Sequence, residues 1–393
     1  MSKFCLVMIV KDEAEVITRA FESLKNIIDS YYISDTGSTD GTPSIIQKWM
    51  NEHGIEGEVG SAEWKNFGVN RSILFSEARN HINPLISKAE YYIWLDADEV
   101  IITDRYDPLS YPTKKDAKRL YNELNGYKGS FLASIITIFG GVTYERKNIC
   151  RNDQLYKWEQ PVHEYIIGTE EYNTISINWL YDLARKEGNS SRNPERYKKD
   201  ADMFYKFLEE NPGEPRATFY LAQTLSIVDE KEKALEYYIK RSEMESGYSE
   251  ERYIACLRGG RMTEKRDLKY KLFLRGIEVN PDRLECYYEL MMMEYRESNH
   301  SKGMMFGMMA PDSRVIKNDF MFSEEFIYQY SFDLHLGVCC YYANRFNLGY
   351  IYTKRALNSV IDLDKNIDGY YRTLLESNLT YYIPKIKKEL LMD

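Results

Sequence analysis

The chain has 393 residues and no apolar run near the roughly 20 residues that a membrane-spanning helix needs. Its apolar stretch FCLVMIV, residues 4–10, is too short for that and runs at once into Lys11, Asp12 and Glu13. Those charges are on the wrong flank for a signal peptide, and no small-residue cleavage site follows, so no transmembrane segment and a cytoplasmic setting are expected. An excess of basic charge is also missing: 52 Lys and Arg against 61 Asp and Glu give a net charge of −9. Nucleic acid is thereby excluded as the main partner, because phosphate binding needs a basic face. The six cysteines (Cys5, Cys150, Cys256, Cys286, Cys339, Cys340) have neither a disulfide framework nor metal-ligand spacing, and reduced thiols are expected. Alanine is sparse while Tyr, Ile, Lys and Asn are heavily used, the bias of an AT-rich genome. What is present is ordinary for a globular chain: 44% apolar and 29% charged residues, and enough length for two or three domains.

Up to about residue 180, short apolar runs alternate with helical patterns. Phe4–Val10 reads as a strand covered on both faces. Val16, Ile17, Ala20, Phe21, Leu24 and Ile28 form a helical stripe within 14–28. Tyr31–Ser34 reads as a second strand, followed by the polar loop DTGSTDGT at 35–42 and a helix opened by Pro43. Glu56–Gly60 is a third strand, 72–87 a helix and Tyr91–Leu95 a further strand. This alternation predicts right-handed crossovers and a mainly parallel sheet, with ligands gathered at the carboxyl ends of its strands. Lys11-Asp12-Glu13, the Asp35 loop and Asp96-Asp98 each follow such an end.

After about residue 190 the pattern is helical throughout, and a repeat emerges. Leu221-Ala222 is followed at twelve residues by Ala234, Leu290-Met291 by Gly303, and Leu336-Gly337 by Gly349. Small residues at that offset let two helices of a pair approach closely. The pattern resembles tetratricopeptide repeats. The expected division is a first domain at 1–185 and a helical domain at 190–393.

The segment YYIWLDADEV, 91–100, is the densest clue. Apolar residues run into Asp96, Asp98 and Glu99, and in an extended segment both Asp side chains lie on one side. Carboxylates so placed repel unless something positive lies between them. CLVMIVKDEAEVITRAFESL at the first strand and helix, ISDTGSTDGT after the second strand, SEARN at 76–80 and WLDADE together resemble family-2 glycosyltransferases of the GT-A fold. The resemblance covers roughly residues 4–168. The whole chain looks like the branch that joins this domain to tetratricopeptide-like helices, which includes bacterial peptide glycosyltransferases.

The resemblance implies an α/β GT-A domain, Rossmann-like and mainly parallel, followed by an all-α repeat domain. It implies a metal-dependent, inverting glycosyltransferase of hexosyl type. The sugar would pass from a nucleoside diphosphate, with UDP favoured, to a protein, peptide or glycan. Mn²⁺ or Mg²⁺ would neutralise the leaving diphosphate through oxygen ligands. Asp98 would bind the metal and Asp96 the metal or the ribose. Asp35 would meet the base, supported by Thr36 and Ser38, with Val10, Lys11 and Glu13 lining its other side. Arg79 in SEARN stands where the family places a basic residue near the nucleotide.

The acceptor side rests on WEQPVHEYI, 158–166. His163 is the candidate third metal ligand, since imidazole suits Mn²⁺-type sites. Glu164 is the first candidate for the base that deprotonates the acceptor hydroxyl, and Asp153 the second. Neighbours on a strand face opposite ways, so His163 and Glu164 can share a site only across a bend. Trp158 either stacks on a sugar or fills the core. The family's frequent Glu-Asp base motif is absent from the expected interval. The repeats offer a surface for an extended acceptor, a buttress, or a face for a second copy of the chain. Two other classes stay open. One is a decayed catalytic domain serving as a scaffold, against which the intact Asp35, Asp96 and Asp98 count. The other is a sugar nucleotidyltransferase, whose glycine-rich first loop is missing.

Overall fold

The computed structural model describes residues 2–139, 142–185, 187–189, 193–317, 320–362 and 369–389. The chain forms two compact units, Met1–Phe207 and Leu208–Asp393; the sequence had placed the change of character between 185 and 190.

The strands of the first unit are β1 (Phe4–Val10), β2 (Ser30–Asp35), β3 (Glu56–Ser61), β4 (Tyr91–Ile93), β5 (Val100–Ile102), β6 (Phe131–Phe139), β7 (Val142–Arg151), β8 (Tyr156–Glu159), β9 (Tyr165–Gly168) and β10 (Asn173–Leu183). Eight of them make one sheet in the order β3-β2-β1-β4-β7-β6-β10-β5, and β8 and β9 form a separate antiparallel pair. β3, β2, β1 and β4 run parallel. β7 pairs antiparallel with both β4 and β6, and β5 antiparallel with β10. The helices are α1 (Ile17–Leu24), α2 (Thr42–Glu52), α3 (Phe67–Arg79), α4 (Pro84–Ser87), α5 (Lys114–Asn125) and α6 (Arg196–Glu210).

The unbroken apolar run of β1 has a simple cause. Phe4, Leu6, Met8 and Val10 face one core layer with Phe21 and Leu24 of α1, Ile46 and Met50 of α2, and Leu120 and Leu124 of α5. Cys5 and Val7 face the other, with Leu74, Phe75 and Ala78 of α3 and Trp94. Both faces of the strand are covered, so neither side of it alternates to polar.

The helix expected over 72–87 is two helices. Asn66 caps α3 by accepting from the Val69 N–H at 2.8 Å, and Asn83 caps α4 by accepting from Leu85 at 2.9 Å, with Pro84 at its first position. The proline cannot continue the α3 ladder, so the chain stops at Arg79 and restarts.

In the second unit consecutive helices pack as pairs. They are α7 (Pro215–Ile227) with α8 (Lys231–Glu243), α9 (Ser249–Met262) with α10 (Arg266–Val279), α11 (Glu285–Arg296) with α12 (His300–Met309), and α13 (Phe332–Tyr342) with α14 (Phe346–Asp362), which also packs on α15 (Gly369–Glu389). The twelve-residue offset of small residues is where the pairs touch. A Cβ on Gly349 would stand 3.1 Å from the Gly337 carbonyl, and one on Gly303 3.3 Å from the Met291 carbonyl. All six cysteines are buried and unpaired. Among the described residues no helix is long and apolar enough to cross a membrane.

Candidate active site

Two loops meet at the carboxyl ends of β1 and β2. The Thr36 N–H and hydroxyl both donate to the Val10 carbonyl, at 2.9 and 3.0 Å. The Asp12 N–H donates to Ser38 Oγ, Glu13 N–H to Thr42 Oγ1 and Ala14 N–H to Asp40 Oδ2, each at 2.9 Å. The Thr39 N–H returns a bond to Asp12 Oδ1 at 2.6 Å. Asp35 accepts from the N–H groups of Gly37 and Ser38, at 3.2 and 3.1 Å, and from the Ser38 hydroxyl. Its carboxylate thus folds its own loop, a turn that Gly37 permits with φ of 102°. Lys11 is exposed on the same edge.

One strand over, Trp94 extends β4 by exchanging bonds with Asn148 of β7. The chain then turns so that the Asp96 N–H donates to Glu99 Oε2 at 2.8 Å. Asp96 does not stand alone. Arg71 of α3 binds its Oδ1, and Arg146 of β7 lies 3.6 Å from its Oδ2. Arg146 also binds buried Glu99 and, at 3.0 Å, fully buried Asp182 of β10. Burial opposes the charge on Asp96, but Arg71 and Arg146 outweigh it and hold the carboxyl below its ordinary range. One guanidinium cannot balance three carboxylates. Burial therefore wins at the other two, pushing Glu99 up to about 8 and Asp182 up to about 6 against the pull of Arg146. Burial likewise raises Asp98, opposed by the Gly188 N–H and reinforced by the Asp96 charge.

Arg71 also donates from Nε to Glu164 Oε1 at 2.9 Å, with its guanidinium 5.0 Å over the Trp158 ring. It joins the first acid of the DxD triplet to the candidate base. The sequence reading missed it, although a signal was there. Arg71, Leu74, Phe75 and Ala78 share one face of α3, and a charged residue on a buried face needs a partner. Trp158 packs edge-on against Trp94 and Phe75 at 5.4 and 6.0 Å, so its ring is core that also supports Arg71.

The bend between His163 and Glu164 exists: Gln160 and His163 have φ of 79° and 54°, in the turn between β8 and β9. His163 is exposed there and Glu164 faces Arg71. Arg79 and Asp153 are placed elsewhere. Arg79 lies eight residues from Arg71, about 12 Å along the helix. It donates to Asn152 Oδ1 and to the Asp153 and Gln154 carbonyls. The Asp153 carboxylate accepts from Ser130 at 3.0 Å. These contacts fasten the loop after β7, beside the amino end of β4 where Tyr91 pairs with Arg151.

The expected three-ligand set of Asp96, Asp98 and His163 is not assembled: among the described residues no three His, Cys, Asp or Glu side chains are grouped to hold a metal. A magnesium-type cation needs only one or two carboxylates, with water and substrate phosphates completing its shell. Asp98 fits that use. It is a carboxylate at the carboxyl end of β4 whose Oδ2 takes the backbone N–H groups of Glu187 and Gly188. Asp96, Asp98, Glu99, Glu164 and Asp182 gather here with the guanidinium groups of Arg71 and Arg146, and Arg196 adds its charge near Asp96.

Residues 5–119 match the family model described as glycosyl transferase family 2. A TPR repeat-containing protein of Synechococcus elongatus is 28% identical over 167 residues, 42% of this chain. The match spans only 36% of that protein's length. Among solved structures, S. aureus TarS is 14% identical over 71% of this chain and 53% of its own, with a TM-score of 0.33. MamA is 15% identical over 46% of this chain and 99% of its own, with a TM-score of 0.35.

Proposed function

We propose that this protein is a glycosyltransferase that moves a sugar from a nucleoside-diphosphate donor, UDP-linked by preference, to a hydroxyl of a protein, peptide or glycan. The observation that carries this reading is the shared edge. Asp35, Glu13, Asp96 and Asp98 lie in the segment that matches the family model, at the carboxyl ends of adjacent parallel strands, and Arg71 ties Asp96 to Glu164.

The Asp35 loop takes the nucleoside, with Val10 to Glu13 on its other side. Asp98, with Asp96, would hold a divalent cation, which supplies charge neutralisation for the departing diphosphate. Glu164 receives the proton of the acceptor hydroxyl. The acceptor oxygen bonds to the anomeric carbon as that carbon's bond to the diphosphate oxygen breaks, and configuration inverts. Arg71 keeps Glu164 oriented through its 2.9 Å bond. The helical unit offers the acceptor an extended surface.

The test is a panel of nucleotide sugars assayed for hydrolysis with Mn²⁺ or Mg²⁺, which needs no acceptor. One donor should be consumed, and Glu164→Gln should abolish transfer to an acceptor while donor binding stays within about twofold. A second reading, a catalytically silent scaffold, draws on the two arginines at Asp96 and on exposed His163. It is the reading left if no donor is consumed with either cation.

A further inference from the structure

Beyond the donor site itself, the chain returns to the same carboxylates from far away. After β10, residues Glu187–Asn189 cross the edge of the sheet. The N–H groups of Glu187 and Gly188 donate to Asp98 Oδ2 at 3.1 and 2.8 Å, across 90 residues for the second. The next N–H, of Asn189, donates to both oxygens of Glu13 at 3.0 and 3.2 Å. Arg19 of α1 binds the Glu187 side chain and ties the segment down. Gly188 is buried, and its missing side chain matters. A Cβ there would stand 3.1 Å from Asp98 Oδ2, 3.2 Å from Asp98 Cγ and 3.3 Å from Glu13 Oε1.

Three consecutive N–H groups aimed at carboxylates do what a cation would do: they supply positive charge to Asp98 and Glu13. Two on one oxygen use up its acceptor directions, and backbone this close leaves no space on that side for a hydrated ion, whose shell extends about 4 Å from its centre. We propose that Glu187–Asn189 is a strap that competes with the divalent cation for Asp98, so that loading of the cation requires the strap to leave. This rests on the reading of Asp98 as a cation ligand. Cation affinity is then reduced by the fraction of molecules in which the strap is seated.

The experiment follows Mn²⁺ binding by calorimetry, with and without UDP, and amide hydrogen exchange of the strap in the same full-length samples. Arg19→Ala removes the tie through Glu187, and Gly188→Ala crowds Asp98. Neither residue belongs to the proposed catalytic or donor-binding set. In the wild type the Glu187–Asn189 amides should be protected without Mn²⁺ and lose protection as it binds. Both variants should start less protected and bind Mn²⁺ about three- to tenfold more tightly. Mn²⁺ binding with strap protection unchanged or increased would overturn the strap and leave the cation reading standing. So would binding no tighter in variants whose strap amides are already open. Failure of every form to bind Mn²⁺ with or without UDP would remove the cation reading and the strap with it.

Discussion

Two buried ionic groups in this molecule use the same residue types to opposite ends. In the helical unit, fully buried Arg283 donates to Glu250 and Glu285, each at 2.6 Å, and to the Met321 carbonyl at 2.8 Å. Tyr253 and Tyr328 complete Glu285, and Asn280 and the Met321 N–H complete Glu250. Burial works against Glu285, yet Arg283 holds it below the ordinary carboxyl range. At the sheet edge of the first unit, Arg146 serves three carboxylates. There Glu99 and Asp182 are pushed up, and Arg146 Nε, Asp182 Oδ1 and Asn148 Oδ1 are buried with no partner among the described residues. A saturated network has no capacity left for a ligand and serves the fold. An unsaturated one, with buried polar atoms left over, is a candidate place for a ligand to complete the chemistry.

The contrast can be broken most severely at Arg283. Arg283→Met leaves Glu250 and Glu285 buried and uncompensated, and should cost about 3–5 kcal/mol of stability in urea unfolding followed by circular dichroism. Donor hydrolysis per folded molecule should be unchanged. Asp98→Asn should do the reverse. Activity with Mn²⁺ should fall about a hundredfold or more, while the melting temperature holds or rises as a like charge leaves the cluster. A loss of fold instead would make the edge cluster as structural as the helical one.

A smaller effect sharpens the comparison through pH. Asp200 of α6 is buried, which pushes its carboxyl up to about 6 although Arg196 lies 3.6 Å away. Its folded value exceeds the unfolded value, so folding takes up a proton between about pH 4 and 6 and stability falls as pH rises through that window. Asp200→Asn should flatten that fall and be more stable at pH 7 by on the order of 2 kcal/mol in thermal melts at several pH values. The smallest effect is expected at Asp35. Asp35→Ala should weaken binding of both free nucleoside diphosphate and donor by about tenfold, or about 1.4 kcal/mol, by calorimetry. A loss confined to turnover would assign Asp35 to another role.

Much of the first unit could be read from the chain alone, because its signals are local. β1 was legible from an unbroken apolar run, β2 and β3 to within a residue at each end, and the polar loop after β2 from its glycines and threonines. The repeat was legible from twelve-residue offsets of small residues, which the packing of Gly337 against Gly349 explains. The two-helix break at Asn80–Asn83 lies inside the single helix expected at 72–87, although Pro84 and its capping Asn83 signal it locally. SEARN drew attention to Arg79, whereas the same helix delivers Arg71 to the acids eight residues earlier.

What the sequence by itself determined are the elements and the identity of the acids that end the strands. Period and turn chemistry act over a few residues, and the chain carries them openly. Only the tertiary structure decided which charges meet. Arg71 reaches Glu164 across 93 residues, Arg146 reaches Glu99 across 47, and Gly188 reaches Asp98 across 90. No local pattern encodes such pairs, since a guanidinium or an amide takes the partner that the folded backbone brings within 3 Å. The stagger of strands and helices set that choice, and with it the balance of charge at the edge of the sheet.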